Sequence, residues 1–159
     1  MAIKIFSQEY LDHLVTQARS SPRLRQHKNI HLDYLDSCQR LFNAIEPDSY
    51  IRPHCHGVET LFAIKGLMAL IVFNNNGAIE EVQRFGVASS IGSLNIAAGI
   101  EIPSDKWHTV VSLVSGSILL EIKAGPFNPN IPKYFAAWAP EEFSSDVANY
   151  LKKLIENII

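Results

Sequence analysis

Leu11, Leu14, Val15 and Ala18 recur at i, i+3, i+4 and i+7, one apolar stripe of an amphipathic helix over residues 7–19. Ser7 stands where an N-cap is needed, and Ser20-Ser21-Pro22 ends the pattern. The polar stretch 23–31 reads as irregular. From Cys38 to Ala124 the period changes to two. Short strands are predicted near 38–45, 50–56, 59–65, 67–73, 78–84, 93–97, 107–114 and 117–124. Pro47-Asp48, Lys65-Gly66, Asn74-Asn75-Asn76-Gly77, Ser104-Asp105 and Ser115-Gly116 supply the turns between them. Seven or eight short strands in about ninety residues predict an all-β sandwich or barrel rather than βαβ units. The proline-rich run GPFNPNIPKYFAAWAP reads as a surface loop. A second helix follows, with Val147, Tyr150, Leu151, Leu154, Ile155 and Ile158 on one face.

The length of 159 residues suits one domain, 1–159, with the barrel at about 38–124 and a C-terminal loop and helix at 125–159. A formal net charge of −2 supplies no basic footprint for nucleic acid. No apolar run approaches the ~20 residues of a membrane span, and the N-terminus has no signal-peptide pattern. Cys38 and Cys55 are too few for a disulfide framework, so the expected setting is reduced and cytoplasmic.

The chemistry concentrates on His54 and His56, which flank Cys55, with Glu59 three residues on and His108 far downstream beside Trp107. Alternate side chains leave a strand by the same face, so the two imidazoles point together, and a hairpin returns Glu59 beside them. A later strand adds His108. Three imidazoles and a carboxylate converging on one point make a transition-metal site, and an inward Glu59 and His108 among apolar neighbours are costly unless coordinated. By the same alternation Tyr50 and Arg52 share the ligand face, as a candidate proton donor and a candidate anion-holding group. The plainer readings are a core aromatic for Tyr50 and a barrel-mouth ion pair for Arg52. Glu121 and Lys123 share one face of a later strand. They read either as groups behind the ligands, contacting substrate or a ligand N–H, or as a solvated ion pair. His13 and His27 lack partners at ligand spacing, Cys55 points away from the histidines, and Trp107 packs under a terminal helix.

The run PHCHGVETLFAIKG resembles the first cupin motif, G-x5-H-x-H-x3–4-E-x6-G, and GIEIPSDKWHTVVS resembles the second, G-x5-P-x-G-x2-H-x3-N. His54, His56, Glu59, Gly66, Pro103 and His108 fall on matching positions. Only Gly57 and Val58 separate His56 from Glu59, one fewer than the motif's minimum; Asp105 replaces the second motif's Gly and Ser112 its Asn. Residues 23–142 further resemble the WbuC-type cupin metalloproteins, through Arg25-x3-Asn29-x-His31, Gln39-Arg40-x2-Asn43-Ala44, Ser49-Tyr50-Ile51-Arg52-Pro53-His54, Glu121-x-Lys123-x-Gly125-Pro126-Phe127 and Trp138-Ala139-Pro140-Glu141-Glu142.

That resemblance implies a double-stranded β-helix (jelly-roll barrel) with flanking helices, and one divalent transition metal, Zn, Fe, Mn, Ni or Co. It implies that Asn29, His31, Arg40 and Asn43, which alone read as loop and turn hydrogen-bonders, cap the cavity, so Arg40 joins Arg52, Glu121 and Lys123 as candidate substrate-binding groups. The family's association with bacterial surface-polysaccharide gene clusters points to a small metalloenzyme acting on a carbohydrate or sugar nucleotide. Two other classes remain open: an Fe(II) dioxygenase, since two His and one carboxylate form that facial set, and a non-catalytic sugar or small-ligand binding module. The expected ligand is carbohydrate-like or anionic. The resemblance and the apolar stripe of the last helix predict a homodimer, or a monomer if that stripe folds back on its own barrel.

Overall fold

The computed structural model describes residues 3–88, 96–130 and 133–158. Helix α1 runs Gln8–Ser20 and begins as its sequence dictates: Ser7 Oγ accepts the Tyr10 N–H at 3.1 Å. Among the described residues ten strands follow, β1 Arg25–Asn29, β2 Cys38–Ile45, β3 His54–Cys55, β4 Glu59–Lys65, β5 Leu67–Phe73, β6 Ile79–Gly86, β7 Gly99–Ile102, β8 Trp107–Ser112, β9 Ser117–Ala124 and β10 Tyr134–Phe135, and then helix α2, Val147–Glu156.

The strands form two five-stranded antiparallel sheets, in the orders β1-β2-β9-β4-β7 and β10-β3-β8-β5-β6. Ile45, Leu61, Ile102 and Leu119 from the first sheet interlock with Met68, Leu70, Phe85 and Val110 from the second. This is the jelly-roll barrel with flanking helices that the resemblance implies, within the all-β sandwich or barrel that the strand pattern predicts. The outer face of the first sheet buries Phe42, Ala44 and Ile118 under Leu11, Leu14, Val15 and Ala18 of α1. The outer face of the second buries Ala69, Ile71, Phe73 and Val111 under Leu151, Leu154 and Ile158. The stripe that suggested a homodimer is therefore covered by the chain's own sheet and provides no argument for a second subunit. Trp107 belongs to this same layer, as expected.

Strands 38–45, 59–65, 67–73 and 117–124 stand where the alternation puts them. The predicted strand 50–56 shrinks to His54–Cys55, because Pro53 cannot donate to a ladder and the backbone before it is not paired. Of the predicted strand 93–97, residues 93–95 lie outside the described residues; Ala97 bridges Phe85, and the strand itself is β7 at Gly99–Ile102. Two strands fall in segments expected to be irregular, β1 and β10. Both are edge strands, and β1 turns Arg25, His27 and Asn29 inward in register with Ile45, Asn43 and Leu41. With polar groups on both faces, it carries no hydrophobic alternation to read.

Candidate metal centre

His54 lies on β3 directly opposite His108 on β8, His56 follows the end of β3, and Glu59 opens β4 in the facing sheet. The cluster thus bridges the two sheets. Two turns hold it there. Gly66, between β4 and β5, has φ +82°, and a Cβ on it would meet Ser117 Oγ at 2.3 Å, so the motif glycine is sterically required. Asp105, where the motif has glycine, has φ +65° and donates its N–H to His56 O at 3.2 Å. Aspartate is among the few non-glycine residues that tolerate this left-handed conformation, which accounts for the replacement.

Ligand-capable atoms of His54, His56, Glu59 and His108 all lie within 4.8 Å of one another. Glu59 Oε1 is 3.1 Å from His108 Nε2 and 3.3 Å from His56 Nε2. Bonds of ~2.0–2.2 Å to a common ion place neighbouring ligands ~3.0–3.5 Å apart and opposite ones ~4.2 Å apart, so small side-chain adjustments seat a divalent metal here. The tight two-residue link between His56 and Glu59 does not remove the carboxylate from the cluster.

Each imidazole is also oriented. Nδ1 of His54 donates to Arg52 O at 2.9 Å, Nδ1 of His56 to Gly57 O at 2.8 Å and Nδ1 of His108 to Lys106 O at 2.8 Å. With Nδ1 held by a carbonyl, Nε2 is the nitrogen each ring turns to the cluster, and it serves as the lone-pair donor once a metal displaces any proton it holds. The acceptors are peptide carbonyls, so Glu121 and Lys123 are not needed behind the ligands. Burial, reinforced by Lys133 and His108, holds His54 well below its ordinary range and keeps it neutral. Burial alone would raise Glu59, but hydrogen bonds from His108 and His56 Nε2 outweigh it and hold the carboxyl well below the usual carboxylate range; a bound metal would take the place of those protons.

The cluster lies in the wall of a cavity of about 510 Å³. Gln39, Lys123 and Glu59 form one row across the first sheet, and Leu41, Glu121 and Leu61 the next. Glu121 and Lys123 therefore line the cavity; they pair with each other at 2.5 Å. Burial works against the Lys123 charge, but Glu121 outweighs it and raises the lysine's pKa.

Arg52 also lines the cavity, with its guanidinium donating to Ala136 O at 2.9 and 3.2 Å and 3.8 Å from Glu141. Tyr50 does not reach the cluster. Its hydroxyl donates to Pro140 O at 2.9 Å and its ring meets Tyr150 beside α2, because the strand that was to align it with His54 does not form. Arg40 is likewise corrected: it shares the outward parity of Phe42 and Ala44 on β2 and pairs with Asp36 at 3.4 Å. Cys55 points away from the cluster, as expected; His13 is exposed and far from it, and exposed His27 borders the cavity. Sequence reasoning missed Lys133, Phe135 and Arg25 in the lining. The first two sit at the unrecognised β10 and the third on the unrecognised β1.

The chain belongs to the family described as "Domain of unknown function (DUF6016)", whose profile matches residues 6–85 and so covers His54, His56 and Glu59. No curated protein sequence matches it. Among solved structures it is similar to KdgF from Halomonas sp., at 13% identity and TM-score 0.50, over 70% of this chain and 88% of that one. It is similar to the polyketide cyclase RemF from Streptomyces resistomycificus at 19% identity and TM-score 0.50, over 80% and 78% of the two chains. A variant of the salicylate 1,2-dioxygenase from Pseudoaminobacter salicylatoxidans matches at 12% identity and TM-score 0.55, over 76% of this chain and 34% of that one. These likenesses identify the fold as that of the cupins. Among the described residues no helix is long and apolar enough to cross a membrane.

Proposed function

We propose that this chain is a cytoplasmic metalloenzyme that holds one divalent transition ion on His54, His56, Glu59 and His108 and acts on a small carbohydrate-like anion. The observation that carries the reading is the convergence of three oriented Nε2 atoms and one carboxylate on the wall of a 510 Å³ cavity. A bound 2+ ion supplies Lewis acidity, polarising a substrate carbonyl or enediolate oxygen. Three neutral imidazole ligands and one carboxylate would leave a bound 2+ centre near +1 and attractive to anions. Lys123, adjacent to Glu59 in the sheet, and Arg52 add positive charge to the same wall. Free Cys38 and Cys55 fit a reducing compartment. The resemblance to WbuC-type cupins supports a role in bacterial surface-polysaccharide synthesis, by isomerisation, epimerisation or a related step on a sugar or sugar nucleotide.

Elemental analysis of protein purified without a metal-affinity tag tests this reading, beside the His54→Ala/His108→Ala variant. About one equivalent of metal in the wild type and none in the variant is the expected result; equal metal in both overturns it. Candidate sugars and sugar nucleotides incubated with metal-loaded protein then separate the classes. Conversion without oxygen uptake is expected, iron with oxygen uptake moves the assignment to a dioxygenase, and bound sugars recovered unchanged move it to a binding module.

A further inference from the structure

The cavity's polar groups divide into those already paired within the protein and those left over. Its acidic side chains are all paired: Glu59 by His56 and His108, Glu121 by Lys123 at 2.5 Å, and Glu142 by Arg25 at 2.7 Å and Arg23 at 2.9 Å. Arg52 is satisfied by Ala136 O. Lys133 is the exception. Its ammonium stands 5.8 Å from the Phe135 ring centre, and among the described residues it forms neither an ion pair nor a hydrogen bond. The cavity therefore carries surplus positive charge even before a metal adds to it.

Two buried polar atoms of the same lining are also unpartnered, His31 Nε2 and Asn43 Oδ1. His31 Nδ1 is held by the Arg40 backbone, 3.0 Å from its amide nitrogen and 2.9 Å from its carbonyl oxygen, which leaves Nε2 as the ring nitrogen without a partner. His31 is only 6% exposed, and a buried polar atom without a partner is costly in either tautomer. Asn43 offers an acceptor three residues along β2 from Arg40, whose backbone holds His31.

Building on the metal-centre reading above, we propose that the cavity accepts a hydroxylated anion of the acidic-sugar class, carboxylate or phosphate. Its anionic group meets Lys133, and its hydroxyls meet His31 Nε2 and donate to Asn43 Oδ1. A hydroxyl both donates and accepts, so it can serve either tautomer of His31 as well as the amide oxygen, which neither a bare carboxylate nor a hydrocarbon can.

Isothermal titration of the metal-loaded full chain tests this with D-glucuronate, D-glucose 6-phosphate, D-glucose and cyclohexanecarboxylate. At least one of the two anionic sugars is expected to bind more tightly than both controls, and which one does so identifies carboxylate or phosphate as the recognised group. Lys133→Met is expected to weaken that sugar about tenfold or more, with Lys133→Arg restoring most of the loss and metal content unchanged in both. His31→Phe is expected to weaken the anionic sugar but not cyclohexanecarboxylate. Since Lys133 is exposed and its replacement disturbs no core, its variants remain informative if His31→Phe fails to fold. Failure of both anionic sugars to bind, glucose binding as tightly as they do, or an unchanged affinity in Lys133→Met overturns the proposal. Absence of metal from the wild type sinks the earlier reading instead, and elemental analysis of the same samples distinguishes the two failures.

Discussion

The two ends of the sandwich interior are made by the same strands and used in opposite ways. On β4, Leu61 packs in the core while Glu59, two residues earlier on the same face, joins the metal cluster. On β8, Val110 and His108 divide in the same manner, and on β9 Leu119 gives way to Glu121 and Lys123. A step of ~6–7 Å along a strand separates packing from chemistry. The closed end supplies the rigidity that keeps ligand atoms within reach of one ion, and the open end holds charges that burial would otherwise penalise. Substitutions at the two ends should therefore fail in different observables.

The largest effect is expected at the closed end. Phe85 is fully buried between the sheets, and Phe85→Ala should cost ~3–5 kcal/mol in chemical denaturation. The molecules that remain folded should keep their metal; a metal content falling in parallel would break the distinction between the ends. At the open end, His54→Ala/His108→Ala should abolish metal-dependent stabilisation, which for the wild type is ~4 kcal/mol when free metal is a thousandfold above Kd. Melting curves with and without added metal measure it, and a shift that survives in the variant would count against the ligand set.

The pH dependence of chelator-treated protein sharpens the contrast. Burial depresses His54 in the native state, so the unfolded chain binds that proton first. The stability from keeping His54 neutral is complete above its unfolded value near pH 6.5 and drains as pH falls toward the lower native value. Glu59 is depressed as well, and its contribution drains only below about pH 4.5. Urea midpoints should decline from about pH 6.5 downward, with a shallower decline in His54→Phe; identical slopes would contradict the assignment. The smallest effect belongs to a surface pair outside both ends. Lys65 and Asp12, 2.7 Å apart with side chains 42% and 61% exposed, should lose no more than ~0.5 kcal/mol on Lys65→Ala.

The contrast also explains what could be read in the chain. Strands β2, β4, β5 and β9 bury apolar residues between layers and punctuate them with turns, so alternation finds them. The ligands are legible for the complementary reason: His54, Glu59 and His108 are polar residues turned toward an apolar interior, and such residues need a chemical excuse. Tyr50 is the core aromatic of its plainer reading and not a ligand-face group, because alternation does not extend upstream of Pro53, where no ladder forms. Arg40 followed the resemblance although its own strand places it with Phe42 and Ala44 on the outward face. β1 was invisible because its inward side faces the cavity and carries Arg25, His27 and Asn29 in place of a hydrophobic row. Lys133 gave no local signal at all, since only the folding of β10 against β3 brings it over the cluster.

The peptide oxygens of Arg52, Gly57 and Lys106 that receive the three ring protons cannot be deleted by exchanging a side chain. The aim of each imidazole is thus inherited from the path of the main chain. The rim of the cavity is then free to diverge toward other cargoes while the grip on the ion persists.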